Sequence, residues 1–489
     1  MQTSHASIVG TFTRCLAACM LVAAMPGARA AAWPDCHIGS YRLADGSLVD
    51  IGPGGDEGTY RWTRFDGITG LLHPSTSKAW ISTRGWTNYE DGITVSFPNC
   101  AAGSVDFNGV PGHRITFDVR DVAFKSHGVT LVGRLIMPKG IDKVPVVVLV
   151  HGSEHSSALS SPGVLSTLQR LLPAEGIGVF AYDKRGTGKS GGHYTQDFEL
   201  LAADAVVAVG AARRLAGARL GRIGFWGGSE GGWVAPIAAN RVHVDFVIVC
   251  FGLAVDVIDE DQEEVELQMR EKGYSPAVIA QARQVARAAE NVFVDDFKHG
   301  FRQLDAMRAK YGGARWYKDV HGDFAWFVLG HPDAQLRKEA KEFDWHTPFY
   351  YDPMATLRAD RTPQLWILGG EDYEAPSAET SRRIKSLIFA GLPFTLAYYP
   401  HAEHGMTLFE TEAAGTRVST RYVPGYFALI RDFARSGRLR GTYGDAEITR
   451  ARRGSRPASA AARRSGMVLS DRAGGSDDGA DHERHDGSG

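Results

Sequence analysis

RIGFWGGSEGGWVAP, residues 222–236, is the stretch around which the chain is organised. Ile223 to Trp226 form a short apolar run of the kind a buried strand needs. Gly227 to Gly232 break it around Ser229, and an apolar helical pattern begins at Trp233. Strand, glycine-rich break and helix together turn G-x-S-x-G into a nucleophile elbow. Such a turn lifts a serine hydroxyl above the sheet and needs glycine where neighbouring backbone comes close. The helix behind it aims backbone N–H groups at the place where an oxyanion would form. An ordinary serine in a glycine-rich loop is the plain alternative, and the flanking strand and helix patterns argue against it.

On both sides of this stretch, strands and helices alternate. Residues 115–124 and 129–138 read as a hairpin, and the β-branched run 144–150 as a strand buried on both faces. A helix over 164–174, a strand at 177–182 and a helix over 198–215 lead up to the elbow, and a strand at 244–251 follows it. The alternation resumes with a strand at 363–368, a helix over 377–390, a strand at 394–399 and a last helix over 423–435. This order predicts an α/β fold, a mostly parallel sheet with helices on both faces.

Residues 253–358 interrupt the pattern. Ser275-Pro276 is a helix start, and Val278, Ala282, Val285, Ala289 and Val292 continue at helical spacing. Aromatics crowd the stretch from Trp316 to Tyr351, including Phe324, Phe327, Phe343 and Trp345. Most of them read as core. A helical insertion rich in aromatics is also what a lid over an apolar substrate pocket requires.

The two ends differ from the middle. Residues 1–30 read as a signal peptide: Arg14, an apolar run over 15–26, and the A-x-A site Ala28-Arg29-Ala30, with cleavage after Ala30. A lipoprotein anchored at Cys19 is a minor alternative. Residues 31–112 read as a small antiparallel β domain with turns at Asp45-Gly46 and Asp66-Gly67. Export would make Cys36 and Cys100 candidates for a disulfide, which the sequence leaves open, and Cys250 reads as a core thiol. The α/β core then occupies 113–252 and 359–441, the insertion 253–358, and a disordered tail, basic then acidic, 442–489.

With 44% hydrophobic and 22% charged residues and a net charge of −2, nothing points to a nucleic-acid partner. No apolar run is long enough for stable membrane insertion. Neither a metal-ligand spacing nor a dinucleotide fingerprint is present, so no metal and no cofactor are expected. The expected location is periplasmic or secreted, and the oligomeric state is unknown.

A serine nucleophile needs a base, and the base needs a carboxylate to orient it. In an elbow architecture both follow later in the chain, acid before histidine. The loop after 363–368, GGEDYEAP, offers Asp372, with Glu371 and Glu374 as competitors. The loop after 394–399, PHAEHG, offers His404, with His401 as the alternative. The oxyanion donors expected are the backbone N–H of Glu230, next to the nucleophile, and that of Ser153 in the loop His151-Gly152-Ser153. A base acting as neutral imidazole predicts a pH limb at roughly 6–7.

Taken together, HGS at 151–153, YDKRGTGKS at 182–190, GGSEGGWVAP at 227–236, GGEDYEAP at 369–376 and PHAEHG at 400–405 resemble the α/β-hydrolase superfamily. They are most similar to bacterial esterase-like members of the serine aminopeptidase and dienelactone hydrolase type. The resemblance spans about 115–438 and implies a serine hydrolase cleaving carboxylic esters through an acyl-enzyme. Its alternatives are a serine peptidase acting on short peptides and a catalytically idle binding protein. The substrate would be a small-molecule ester or a short peptide. One departure is Gly228, where the family often has histidine.

Overall fold

The structure, a computed structural model, describes residues 33 and 35–451 other than 77, 341–344 and 414. The expected signal peptide, Cys19, Phe343 and the tail from 452 lie outside the described residues.

The N-terminal β domain is a closed barrel of β1 (Gly39–Leu43), β2 (Leu48–Pro53), β3 (Tyr60–Arg64), β4 (Thr69–Pro74), β5 (Trp80–Arg84), β6 (Glu90–Ser96), β7 (Ser104–Phe107) and β8 (Val110–Arg114). The two Asp-Gly turns close β1–β2 and β3–β4, with Gly46 and Gly67 at φ of 84° and 94°, where a Cβ would be strained. Alternation along the strands sends Tyr41, Val49, Ile51, Trp62, Leu72 and Val95 into the barrel core. Cys36 and Cys100 are joined by a disulfide, which ties the segment before β1 to the β6–β7 connection.

Next come β9 (Asp118–Ser126), β10 (Val129–Met137), β11 (Val144–Val150), α1 (Val164–Ala174), β12 (Gly178–Tyr182), α2 (Phe198–Ala216), β13 (Leu220–Gly228), α3 (Gly231–Ala239) and β14 (Phe246–Cys250). The helical insertion follows: α4 (Val257–Glu271), α5 (Pro276–Val294), α6 (Phe301–Tyr311), α7 (Asp323–Gly330), α8 (Asp333–Glu339) and α9 (Pro353–Ala359). The chain returns through β15 (Gln364–Gly369), α10 (Ser377–Phe389), β16 (Phe394–Tyr399), the hairpin β17 (Thr407–Thr411) and β18 (Arg417–Tyr422), α11 (Tyr426–Ser436) and β19 (Glu447–Arg450).

Nine strands form the main sheet in the order β19-β16-β15-β14-β13-β11-β12-β10-β9. The run from β12 to β16 is parallel, and β9, β10 and β19 are antiparallel to their neighbours. Successive residues of β11 explain why both faces are covered: Val146, Val148 and Val150 pack with α2, α3 and α10, whereas Val147 and Leu149 pack with α1 and α11. The insertion has its own core around Val265, Met269, Val285, Ala289, Leu304 and Trp316. Ser275 caps α5 as expected, accepting from the Val278 N–H.

Two differences from the sequence reading concern the C-terminal part. Within the tail expected from 442, Glu447–Arg450 form β19, which pairs with β16 from Thr395 to Tyr398. Its exposed, charged sequence hid an edge strand whose stability comes from the ladder, not from apolar burial. The β17–β18 hairpin was also not anticipated. It lies against the barrel, where the Trp86 N–H donates to the Ser419 carbonyl and the Tyr422 N–H to that of Gly67, both at 2.9 Å.

Candidate active site

Ser229 directly follows β13 and precedes α3 with φ of 51°, a left-handed backbone that few non-glycine residues adopt. The Ser229 N–H donates to the Cys250 carbonyl at 3.2 Å, and its own carbonyl accepts from Gly232 at 2.7 Å. Gly231 is required by close approach. A Cβ there would lie 2.8 Å from the Val150 and His151 carbonyls, so any side chain would push apart the elbow and the end of β11.

His404 and Asp372 come from the loops after β16 and β15. Nδ1 of His404 is 3.1 Å from both carboxylate oxygens of Asp372. Asp372 is 1% exposed, and its Oδ1 also accepts from the Ala375 N–H at 2.8 Å, which fixes the carboxylate before it meets the imidazole. Burial alone would lower the His404 pKa. Asp372 first, then Glu374 and Asp323, outweigh it and raise the value to about 9.

The competitors are placed elsewhere. His401 is exposed and meets Glu371 at 3.4 Å, and Glu371 in turn faces Arg417. Glu374 sits on the other side of the ring from Asp372, with Oε2 3.5 Å from His404 Nε2.

Gly228, the departure from the family pattern, has a physical reason. A Cβ there would lie 2.8 Å from the Phe251 ring. Phe251 occupies that space and packs edge-on against His404, with ring centroids 4.8 Å apart. It therefore lies between the elbow and the histidine loop.

A cavity of about 300 Å³ opens over Ser229. Its wall includes Ser153 and Glu230, the aromatics Phe293, Phe324 and Phe327 from the insertion, and the acids Glu260, Asp323 and Glu374. Among the described insertion aromatics, Trp316 is core as expected and Trp326 and Tyr350 are exposed, while Phe293, Phe324 and Phe327 are shared between core packing and the cavity wall. The surrounding protein, then Glu374 and Asp261, push the Asp323 carboxyl up to about 6. Burial, then Asp323 and Asp261, raises Glu260 well above its ordinary value.

Residues 142–288 match the family described as serine aminopeptidase, S33. The sheet and its flanking helices have the α/β-hydrolase fold. A comparison with curated proteins found no match. Among solved structures, the chain is similar to the esterase Pf2001 of Pyrococcus furiosus at 19% identity, covering 59% of this chain and 85% of that one, with a TM-score of 0.38. It is also similar to an acylaminoacyl peptidase of Pyrococcus horikoshii at 15% identity, covering 79% and 56%, with a TM-score of 0.38. A third is the α/β hydrolase GrgF of Penicillium sp. sh18, at 18% identity, 59% and 91%, with a TM-score of 0.37.

The remaining expectations concern the loop at 151–153. Ser153 and Glu230 share the cavity wall with Ser229. His151 is structural: its Nε2 bonds the Tyr182 carbonyl, and burial, then Lys184, pushes its pKa down to about 3. Sequence reasoning missed Lys184, Phe251, Glu260 and Asp323. Lys184 carried one signal, a charged residue directly after an apolar strand inside YDKRGTGKS. Glu263 and Glu264 do not line the cavity. Glu264 instead accepts from the Asp323 N–H and from Gln268.

Proposed function

We propose that this protein is a serine hydrolase that cleaves carboxylic esters through an acyl-enzyme, with Ser229, His404 and Asp372 as its triad. The observations that support it are the His404–Asp372 pair and a serine held at positive φ on the wall of a cavity that Glu374, 3.5 Å from His404, also lines. Ser229 Oγ adds to the ester carbonyl carbon, and its proton passes to Nε2 of His404. That proton leaves with the alkoxide. Water then adds to the acyl carbon, gives its proton to His404, and Ser229 recovers it as the acid departs. The N–H groups of Glu230 and Ser153 hold the oxyanion in both halves. The insertion serves as a lid, its Phe293, Phe324 and Phe327 facing an acyl chain.

A second reading has an observation of its own. Glu260, Asp323 and Glu374 face the same cavity, and three carboxylates there favour a substrate with a positive charge, such as a short peptide with a free amino terminus. Fluorophosphonate labelling, with Ser229→Ala as control, tests the nucleophile. A panel of p-nitrophenyl esters beside aminoacyl-anilides then separates the two substrate classes. Faster cleavage of aminoacyl-anilides would replace the ester reading with the peptide one. Periplasmic or secreted location remains part of the proposal, supported by the A-x-A pattern and by the Cys36–Cys100 disulfide.

A further inference from the structure

Lys184 lies just past the end of β12, 1% exposed, under the cavity floor. Its Nζ makes two bonds. One goes to Glu230 Oε1 at 2.6 Å and the other to the Gly152 carbonyl at 3.1 Å. It also sits 4.5 Å from the centre of the Tyr194 ring. A buried lysine carries a large desolvation cost, so its partners matter more than its charge alone.

Those partners are the two segments that carry the expected oxyanion donors. Glu230 follows the nucleophile and contributes its own N–H. The Gly152 carbonyl belongs to the same peptide unit as the Ser153 N–H. In a trans peptide the carbonyl and the N–H point in opposite directions. A cation bonded to the carbonyl from below therefore fixes the N–H above, and it polarises the amide so that the N–H is a stronger donor. The next carbonyl is tied as well, because the Tyr194 hydroxyl donates to Ser153 O at 2.6 Å. The Glu230 carboxylate holds the ammonium in place. Burial raises that carboxyl to about 7, with Lys184 opposing the shift.

We propose that Lys184 is a positioning residue for the hydrolytic reaction: its ammonium bridges Glu230 and the Gly152–Ser153 peptide and sets the spacing of the two oxyanion donors. This inference rests on the serine-hydrolase reading above. Lys184 touches no reacting atom. Its effect is confined to steps in which negative charge develops on the carbonyl oxygen.

The test compares the full chain with Lys184→Met and Lys184→Gln, using the best substrate of the panel and a trifluoromethyl ketone that forms a tetrahedral adduct with serine. In Lys184→Met, kcat falls about 100-fold while KM stays within about threefold, and the ketone binds more weakly by the same factor as the loss in kcat/KM. Lys184→Gln keeps an N–H for the Gly152 carbonyl and recovers about tenfold of that loss. Arg219→Met, which breaks a part-buried ion pair with Asp118 at the end of the sheet away from the elbow, controls for stability, and its folded fraction keeps the unaltered kcat. Unchanged kcat in Lys184→Met, or a change in KM alone, overturns the proposal. Equal losses in the Met and Gln variants overturn it too, since charge rather than the peptide contact would then matter. If Lys184→Met does not fold, Lys184→Gln decides on the same readouts, and failure of both to fold shows a purely structural role. If fluorophosphonate does not label the unaltered protein, the serine-hydrolase reading fails and this inference falls with it. Labelling with no effect at Lys184 removes the inference alone.

Discussion

Glu374 Oε2 lies 3.5 Å from His404 Nε2, on the ring nitrogen that Asp372 does not hold. The imidazole thus stands between two carboxylates, and its conjugate acid is favoured to about 9. A base must be neutral to accept a proton, so the acid limb of kcat/KM should sit near that value, higher than the roughly 6–7 expected for an unperturbed catalytic histidine.

Glu374→Gln should move this limb to lower pH and raise kcat/KM at neutral pH by up to roughly tenfold. Glu374 is 64% exposed, so solvent screening keeps its share below that of Asp372. A pH–rate profile from 5 to 10 decides, and an unmoved limb would remove Glu374 from the account. The same raised value stabilises the fold below the ordinary histidine pKa of ~6.5, and that contribution is lost as pH rises through about 9.

Ser229→Ala, His404→Ala and Asp372→Ala should each lower kcat by a rough factor of 10⁴–10⁶, and combining them should add little. Steady-state kinetics on the best ester checks this. If Asp372→Ala stayed active while Glu374→Ala did not, the roles of the two acids would be exchanged.

With Phe293, Phe324 and Phe327 on the cavity wall, kcat/KM should rise from acetyl to butyryl esters by about fourfold per CH₂, from roughly 0.8 kcal/mol each. Phe327→Ala should flatten that slope. Rates that stay level or fall along the series, with the insertion intact, would show that these rings serve only its core.

Arg170 on α1 and Asp50 on β2 meet at 2.8 Å with both side chains 1% exposed. Asp50→Ala should cost about 3–5 kcal/mol, because it leaves the guanidinium buried without its partner. Arg84→Ala, which breaks the half-exposed pair with Glu410, should cost less than about 1 kcal/mol. Urea denaturation of both variants measures the contrast, and equal losses would mean that the first pair does not anchor the barrel.

Much of this was legible in residue order. The elbow, the two late loops and the alternating elements each rest on local signals, such as glycine at a close approach or β-branched runs for a buried strand. Asp323 and Glu260 were not legible, because their importance arises only when the insertion folds back beside the elbow, and Phe251 was not, because it matters only through the His404 loop packed against it. Glu374 was visible as a candidate, but in competition with Asp372 for the same role. Only the fold shows that the two flank opposite nitrogens of one ring. The strand Glu447–Arg450 was hidden for a similar reason: four residues without apolar periodicity are held by pairing with β16.

The β17–β18 hairpin rests on the barrel on one side and on the His404 loop on the other. Ser419 receives the Trp86 N–H on its carbonyl, and its hydroxyl is 2.9 Å from that of Thr407, three residues beyond the histidine. A shortened protein starting at Ile115 would still contain Ser229, Asp372, His404 and the whole nine-stranded sheet. It would nonetheless expose to water the side of the hairpin that braces the histidine. The barrel, remote from His404 in sequence, thus acts as a buttress for its loop, and a chain cut back to the sheet would hold that histidine more loosely.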